Sequence, residues 1–103
     1  NVVKKTKVSR KELKVGTCWL KDSFWRVIYD IEGYSSTGLP IDICWADRYG
    51  PGICSHKTML DWIRDGAREV SADEEFWQNM DDKDRVIMFQ WLEFGSIKRK
   101  SYT

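Results

Sequence analysis

Two neighbouring runs of aromatic and β-branched residues constrain the fold of this chain more than any other feature. The first run is Thr17–Lys21, the second covers residues 24–31, and only Asp22 and Ser23 separate them. Two such runs joined by a two-residue turn are typical of a β-hairpin, although Asp-Ser is a weaker turn signal than Asn-Gly. The folded part of the chain is therefore expected to begin with an antiparallel pair of strands.

The second run also predicts which side of the hairpin is buried. Successive side chains of a strand point to opposite faces, so alternate residues share a face. One face is wholly apolar or aromatic and is expected to meet the core, whereas the other mixes charged and apolar side chains. The first face is formed by Trp25, Val27, Tyr29 and Ile31, and the second by Phe24, Arg26, Ile28 and Asp30.

A third strand is predicted after a loop rich in glycine, serine and threonine at residues 32–38. Apolar residues alternate with smaller or polar ones over residues 41–46. Pro40 suits the first position of a strand because it cannot donate to the ladder. The glycine- and proline-rich turn at 48–52 then allows the short run at 53–54 to pair back as a fourth strand.

Helices are predicted for the rest of the chain. Ser55 is a good N-cap for a helix ending near Gly66, and a capping box at 71–74 introduces a second helix. An acidic run opens a third helix, which is expected to end at about Phe94, before Gly95. Apolar side chains surround this helix except for a narrow polar stripe. Such a helix is either sandwiched between the sheet and another helix or half-buried by a partner chain, and we favour sandwiching.

These elements define a small α+β domain. An antiparallel sheet of three or four strands is followed by two or three C-terminal helices, and strongly bent strands would curl into a partial SH3-like barrel. A chain of 103 residues has the usual size of one domain. The expected division is a basic arm at 1–14, a single domain at 15–97 and a basic tail at 98–103.

Composition indicates a cytoplasmic protein. No apolar run approaches the roughly 18–20 residues that span a bilayer, and no apolar stretch of the signal-peptide type follows the basic N-terminus. Three cysteines, an odd number, make a disulfide framework unexpected and favour a reducing compartment. The six tryptophans fit either a large aromatic core or an interaction surface rich in binding hot spots.

The net charge of +1 hides a segregation of charge along the chain. Residues 1–14 carry six Lys and Arg against Glu12 alone, and residues 98–100 are all basic. Residues 15–95 carry eight Lys and Arg against fifteen Asp and Glu, a net charge of −7. The chain therefore has an acidic body with basic ends, which are either solvated termini or contacts for a polyanion.

Metal binding is the most specific chemical function that the sequence offers. Cys18, Cys44, Cys54 and His56 would form a sound zinc set if they converged. Their spacing argues against this, because structural zinc sites bring ligands in close pairs such as C-x₂-C. No metal site is predicted, and whether the four residues converge is left open.

No catalytic or cofactor motif is found. The chain has one histidine, and Ser55-His56 is better explained by helix capping than by nucleophilic catalysis. The acidic run at 81–84 lacks the glycine and closing glutamate of a calcium loop, and no glycine-rich phosphate loop is present. The expectation is a protein that is not an enzyme and uses no cofactor.

A protein-binding role explains the combination of features best, with a regulator or inhibitor as the expected type. The partner would be another protein or a second copy of this chain, and no membrane partner is expected. The compact, Trp-rich and motif-poor chain looks like the small accessory proteins of phages and mobile elements; no residue is carried over from this likeness. The expected contact residues are Tyr34, Arg48, Tyr49, Trp77 and Trp91.

The rival hypothesis is a nucleic-acid-binding protein. Small β-barrels bind single strands by stacking bases on aromatic side chains in a basic groove. The acidic body argues against this, since the termini alone would have to hold the phosphates. The phosphate contacts would be Lys4, Lys5, Lys7, Arg10, Lys11, Lys98, Arg99 and Lys100.

Overall fold

A computed structural model describes residues 13–71 and 74–101, with side chains as far as residue 98. The four expected strands are joined by a fifth, and three helices follow the predicted order. In this part of the chain the elements are β1 Thr17–Lys21, β2 Phe24–Tyr34, β3 Pro40–Asp47, β4 Gly50–Ser55, α1 His56–Arg64, β5 Arg68–Val70, α2 Glu75–Gln78 and α3 Asp82–Ser101.

The strands form one antiparallel sheet in the order β4-β3-β2-β1-β5. The predicted hairpin is confirmed, since β1 and β2 pair from Thr17 opposite Ile28 to Lys21 opposite Phe24. Asp22 takes a left-handed backbone conformation, with φ 55°, in the two-residue turn. Short polar residues tolerate this conformation better than bulky ones, which explains how Asp-Ser can form the turn.

The partial SH3-like barrel is wrong, because the sheet remains open with β4 and β5 as its edges. α1 packs on one face of the sheet, and α2 and α3 pack on the other, so each face contributes to a hydrophobic core without closure into a barrel. The sequence patterns did not predict β5. Three residues of which only Val70 is buried carry too little periodicity to be recognised.

Two hydrophobic cores result, one on each face of the sheet. Their separation explains how a chain with six tryptophans buries several of them without one large core. The core on the α1 side includes Trp19, Ile28, Ile43, Met59 and Ile63. The core on the α3 side includes Trp25, Val27, Trp77 and Met88, with Trp91 partly buried against it.

A β-bulge in β2 breaks the alternation that the sequence predicts. The pairing with β3 shifts register between Ile28 and Asp30, so that Tyr29 and Asp30 both face α3. Ile31 then lies on the α1 side together with Ile28. The prediction that Ile31 shares a face with Tyr29 is wrong. Ile28, predicted on the mixed face, is fully buried because α1 covers that face.

α3 continues through Gly95 to Ser101, past the end predicted near Phe94. A Cβ atom at Gly95 would lie 3.1 Å from the backbone N and Cα of Gly16 and 3.2 Å from Cα of Tyr29. Gly95 therefore allows α3 to approach β1 and β2 closely, and it does not end the helix.

Within the described residues, no other helix covers the outer side of α3. Val86, Phe94 and Ile97 are all exposed large apolar side chains. The predicted sandwiching therefore does not hold along the whole helix, because α2 is only four residues long and its Trp77 packs near Phe89. The alternative, burial by a partner chain, stays a prediction.

α1 begins as predicted, with the Ser55 hydroxyl accepting a hydrogen bond of 3.1 Å from the backbone N–H of Thr58. Arg26 joins this helix to the sheet. Its guanidinium carbon lies 4.2 Å from the ring centroid of Trp45 on β3 and 4.4 Å from that of Trp62 on α1. A cation stacked between two indole rings is attracted to both of their faces.

No helix in the described part of the chain is long and apolar enough to cross a membrane.

Candidate functional site

Tyr34 and Tyr49, two of the predicted contact residues, lie at opposite ends of the sheet. Tyr34 is the last residue of β2 and pairs with Pro40. Tyr49 is 85% exposed in the turn between β3 and β4, near the end where β2 begins. The 11 residues of β2 extend roughly 35 Å at about 3.3 Å each. These two tyrosines do not belong to one contiguous surface.

Arg48 is held by contacts within the chain. Its Nη2 donates a hydrogen bond of 2.9 Å to the carbonyl oxygen of Ser23 and lies 3.3 Å from a carboxylate oxygen of Asp84. It thereby connects the β3–β4 turn to the β1–β2 turn and to the first turn of α3. Arg48 has a structural role that accounts for its position.

Trp77 is only 3% exposed, and its indole N–H donates to the carbonyl oxygen of Ser71. A contact with a partner would require part of its ring to be exposed, but the ring packs in the core on the α3 side. Trp77 therefore offers almost no surface to a partner.

Trp91 belongs to a cluster of three aromatic rings beside β2. Its centroid lies 4.7 Å from that of Tyr29 and 6.0 Å from that of Phe94, while Tyr29 and Phe94 are 5.5 Å apart. Tyr29 and Trp91 are half-buried, and Phe94 is 42% exposed. Together with Gln90 they line an open depression of about 450 Å³, which we call the aromatic cleft.

Three carboxylates lie next to the aromatic cleft on the same face of the sheet. Asp30 and Glu32 on β2 pair with Cys44 and Asp42 on β3, and directly paired residues share a face. We call Asp30, Glu32 and Asp42 the acidic strip. The ammonium of Lys98, on α3, lies 3.5 Å from Asp30 and 5.7 Å from the centroid of the Phe94 ring. Lys98 therefore joins the acidic strip to the aromatic cleft.

The thiol of Cys44 lies in the middle of the acidic strip and stays protonated at neutral pH. Its burial and the neighbouring carboxylates of Glu32, Asp30 and Asp42 raise its pKa to about 11. It also forms a side-chain hydrogen bond with Glu32, as the donor. Cys44 therefore adds no negative charge to the strip at neutral pH.

The four residues considered for zinc do not converge. Cys54 packs on the α1 side of the sheet, whereas Cys18 packs on the α3 side. In the described residues, the potential metal ligands that do come together are those of Asp30, Glu32 and Cys44, whose ligand atoms lie within 4.8 Å of one another. Exposed carboxylates often gather without a metal, and we assign no ion to this group.

The single histidine lies away from the aromatic cleft. His56 is the first residue of α1 and lines a shallow depression with Lys57, Leu60, Asp61 and Arg64. The sheet separates it from α3, so it cannot act as a base on a group held in the cleft.

The residues of the nucleic-acid hypothesis are only partly within the described chain. Lys4, Lys5, Lys7, Arg10 and Lys11 lie outside the described residues. Lys98 pairs with Asp30, and Arg99 and Lys100 belong to the last turns of α3. Residues 13–71 and 74–98 carry ten Lys and Arg against fourteen Asp and Glu, and six of those cations are in ion pairs. This part of the chain therefore carries an excess of four acidic residues, which does not favour binding of a polyanion.

A second depression lies on the other flank of α3, toward β5, with a volume of about 530 Å³. Phe89 lines it and is 39% exposed, with its ring centroid 6.0 Å from that of Trp77. Glu69 and Glu93 are also among its lining residues. We call it the β5 groove. Phe89 thus gives a matched comparison for Phe94, because both rings are partly exposed on opposite flanks of one helix.

Sequence reasoning found Trp91 but missed the residues around it. Tyr29 was assigned to the core, Phe94 to the end of the helix, and Asp30 to the face opposite Tyr29. The bulge that brings Tyr29 and Asp30 together carries no glycine or proline that would have marked it. The in–out pattern of β3 did signal that Asp42 and Cys44 share a face.

No protein-family model matches the chain, and no curated protein or solved structure matches it.

Proposed function

We propose that this chain is a non-catalytic binding protein that holds a segment of a partner protein in the aromatic cleft. The observation that carries the proposal is the exposure of Phe94 against Tyr29 and Trp91, next to a strip of carboxylates. Partly exposed aromatic rings in a concave site are typical anchors of protein interfaces.

The size of the cleft favours a segment over a folded surface. The depression has a volume of about 450 Å³ and is lined by only four residues, three of them aromatic. A site of this size accepts one or two side chains of a partner. Exposed apolar side chains continue from it, with Ile97 three residues after Phe94 on α3 and Ile53 opposite Cys44 on β4. A partner chain crossing from α3 to β4 would cover both isoleucines.

Charge complementarity favours a basic partner. The acidic strip places three carboxylates beside the cleft, and the described part of the chain has an excess of acidic residues. Such a surface steers basic partners toward it and repels acidic ones. A small domain that occupies a basic segment of another protein would act as a regulator or inhibitor without chemistry of its own.

A selection from a library of random peptides tests the proposal. Peptides enriched by the wild-type chain are expected to bind Phe94→Asp at least about tenfold more weakly, because a carboxylate in the cleft removes its apolar character. The control is Phe89→Asp, in the β5 groove, which is expected to keep the affinity. Both variants are checked for a cooperative unfolding transition.

Other outcomes would overturn the proposal. If the selected peptides bind the Phe94→Asp variant and the wild-type chain with equal affinity, the binding site is not the aromatic cleft. Titration of the wild-type chain with single- and double-stranded nucleic acid at several salt concentrations provides the second test. Binding that weakens steeply as salt rises, together with an empty peptide selection, would replace a protein partner by a nucleic acid.

A further inference from the structure

We propose that the acidic strip recognises a Lys or Arg side chain of the bound segment, and that this side chain replaces Lys98 in the ion pair with Asp30. The inference rests on the proposed function and adds the chemistry of the partner. Lys98 is then an internal stand-in for a cation of the partner.

The position of Lys98 shows that this part of the surface accepts a cation. Its ammonium lies 3.5 Å from Asp30 and 5.7 Å from the Phe94 ring centroid. A carboxylate and the face of an aromatic ring both attract an ammonium or guanidinium group. The bulge in β2 creates this arrangement, because it turns Asp30 to the same side as Tyr29.

The acidic strip has capacity for a further positive charge. Asp30 is paired with Lys98, whereas Glu32 and Asp42 form no ion pair within residues 13–71 and 74–98. Glu32 and Asp42 add two carboxylates, and the protonated thiol of Cys44 between them adds no charge of its own. Glu32 and Asp42 therefore remain able to accept a positive charge.

The ion pair of Lys98 is suited to exchange. Its distance of 3.5 Å is longer than the 2.7–2.9 Å or so of a strong charge-assisted hydrogen bond. The Lys98 side chain is 40% exposed, whereas that of Asp30 is 14% exposed, so water reaches the ammonium and screens the pair from that side. An arginine, which can bind a carboxylate with two parallel hydrogen bonds, would make a better partner for Asp30.

Three short synthetic peptides test the inference. They alternate Leu with Arg, Leu with Gln, or Leu with Glu, so that they share apolar side chains and differ in charge. The wild-type chain is expected to bind the Leu-Arg peptide about tenfold more tightly than the Leu-Gln peptide at low salt, and the Leu-Glu peptide most weakly.

Variants of the strip locate the effect. Asp30→Asn combined with Glu32→Gln is expected to remove the preference for Arg over Gln, so that the Leu-Arg and Leu-Gln peptides bind this variant with similar affinity. Lys98→Gln is expected to raise the affinity for the Leu-Arg peptide a few-fold, because the internal competitor is gone. Asp61→Asn, on α1 at the other face of the sheet, is the control and is expected to change neither affinity.

The outcomes separate the inference from the proposed function. Suppose that the wild-type chain binds the Leu-Arg and Leu-Gln peptides equally and that Phe94→Asp weakens the binding of both. This result would overturn the recognition of a cation and would support the aromatic cleft as the binding site. An unchanged or lower affinity of Lys98→Gln for the Leu-Arg peptide would overturn the exchange. Binding of all three peptides that is indifferent to Phe94→Asp would overturn the proposed function itself.

Discussion

The side-chain nitrogen of Lys98 lies 3.5 Å from a carboxylate oxygen of Asp30. This contact joins the C-terminal part of α3 to the bulge of β2, and it depends on two features of the backbone. The bulge turns Asp30 toward the helix, and Gly95 allows the helix to lie close to the strand. Alteration of either feature should therefore disturb the cleft that the helix and strand form together.

Gly95→Ala should destabilise the protein, although helix propensity alone predicts the opposite. Alanine is favoured over glycine in a helix by about 1 kcal/mol. At this position the added Cβ would lie 3.1–3.2 Å from backbone atoms of Gly16 and Tyr29, which cannot move without shifting β1 or β2. We expect a net loss of about 1–3 kcal/mol, measured by urea unfolding. An increase in stability would contradict the close approach of α3 to the sheet.

Trp77→Ala and Tyr49→Ala should differ sharply in stability. Trp77 is buried and donates a hydrogen bond to the carbonyl oxygen of Ser71. Its truncation should therefore lower the free energy of unfolding by about 3–5 kcal/mol. Tyr49 is 85% exposed in a turn, so its truncation should change the free energy of unfolding by less than about 0.5 kcal/mol. Chemical denaturation followed by circular dichroism measures both. Similar losses in the two variants would contradict the assignment of Trp77 to the core.

Arg26→Gln should weaken the attachment of α1 to the sheet. The substitution removes the cation between the rings of Trp45 and Trp62, and a loss of about 1–2 kcal/mol is expected. The emission of these tryptophans should also shift to longer wavelength as water reaches the rings. Lys83→Gln, on the exposed side of α3, is the control. Equal stability of Arg26→Gln and the wild-type chain would show that the stack contributes nothing.

The free energy of unfolding should fall as pH rises above about 9. Burial raises the pKa of the Cys18 thiol from 9.0 to about 12, so the folded state keeps a proton that the unfolded state loses. A state that binds more protons loses stability as pH increases, so the decline should extend from about pH 9 toward pH 12. Unfolding free energies between pH 8 and 11 or so measure this decline.

Cys18→Ala is the matched variant for this pH dependence. Lysines and tyrosines also titrate in this range, so the relevant quantity is the difference in slope between the two chains. The variant should be less stable at pH 8 but should lose stability more slowly as pH rises. Parallel curves would contradict the raised pKa of Cys18.

Local features of the fold could be predicted from the sequence because the signal and the structure involve the same few residues. The turn at Asp22 and Ser23 defines the hairpin, and Ser55 caps α1 as expected. The features that depend on distant contacts could not be predicted. Gly95 resembles a helix end unless Gly16 is known to lie against it.

The candidate site could not be predicted from the sequence for the same reason, because it depends on contacts between distant residues. Of its aromatic residues only Trp91 was predicted to contact a partner, because a strict period of two placed Tyr29 in the core and Asp30 on the other face. One extra residue in a strand reverses the faces beyond it. Tyr34 and Tyr49 were both predicted to contact a partner, although the pairing of β2 with β3 places them at opposite ends of the sheet.

The most direct test of the aromatic cleft is a nuclear magnetic resonance titration of the isotope-labelled chain with the Leu-Arg peptide. The six tryptophans give separate indole N–H signals, and a Trp91→Phe variant assigns the signal of Trp91. We predict that the Trp91 signal moves as peptide is added, while that of Trp19, buried on the α1 side, does not. A stationary Trp91 signal, with changes at Trp62 or at the basic terminal residues, would contradict the account.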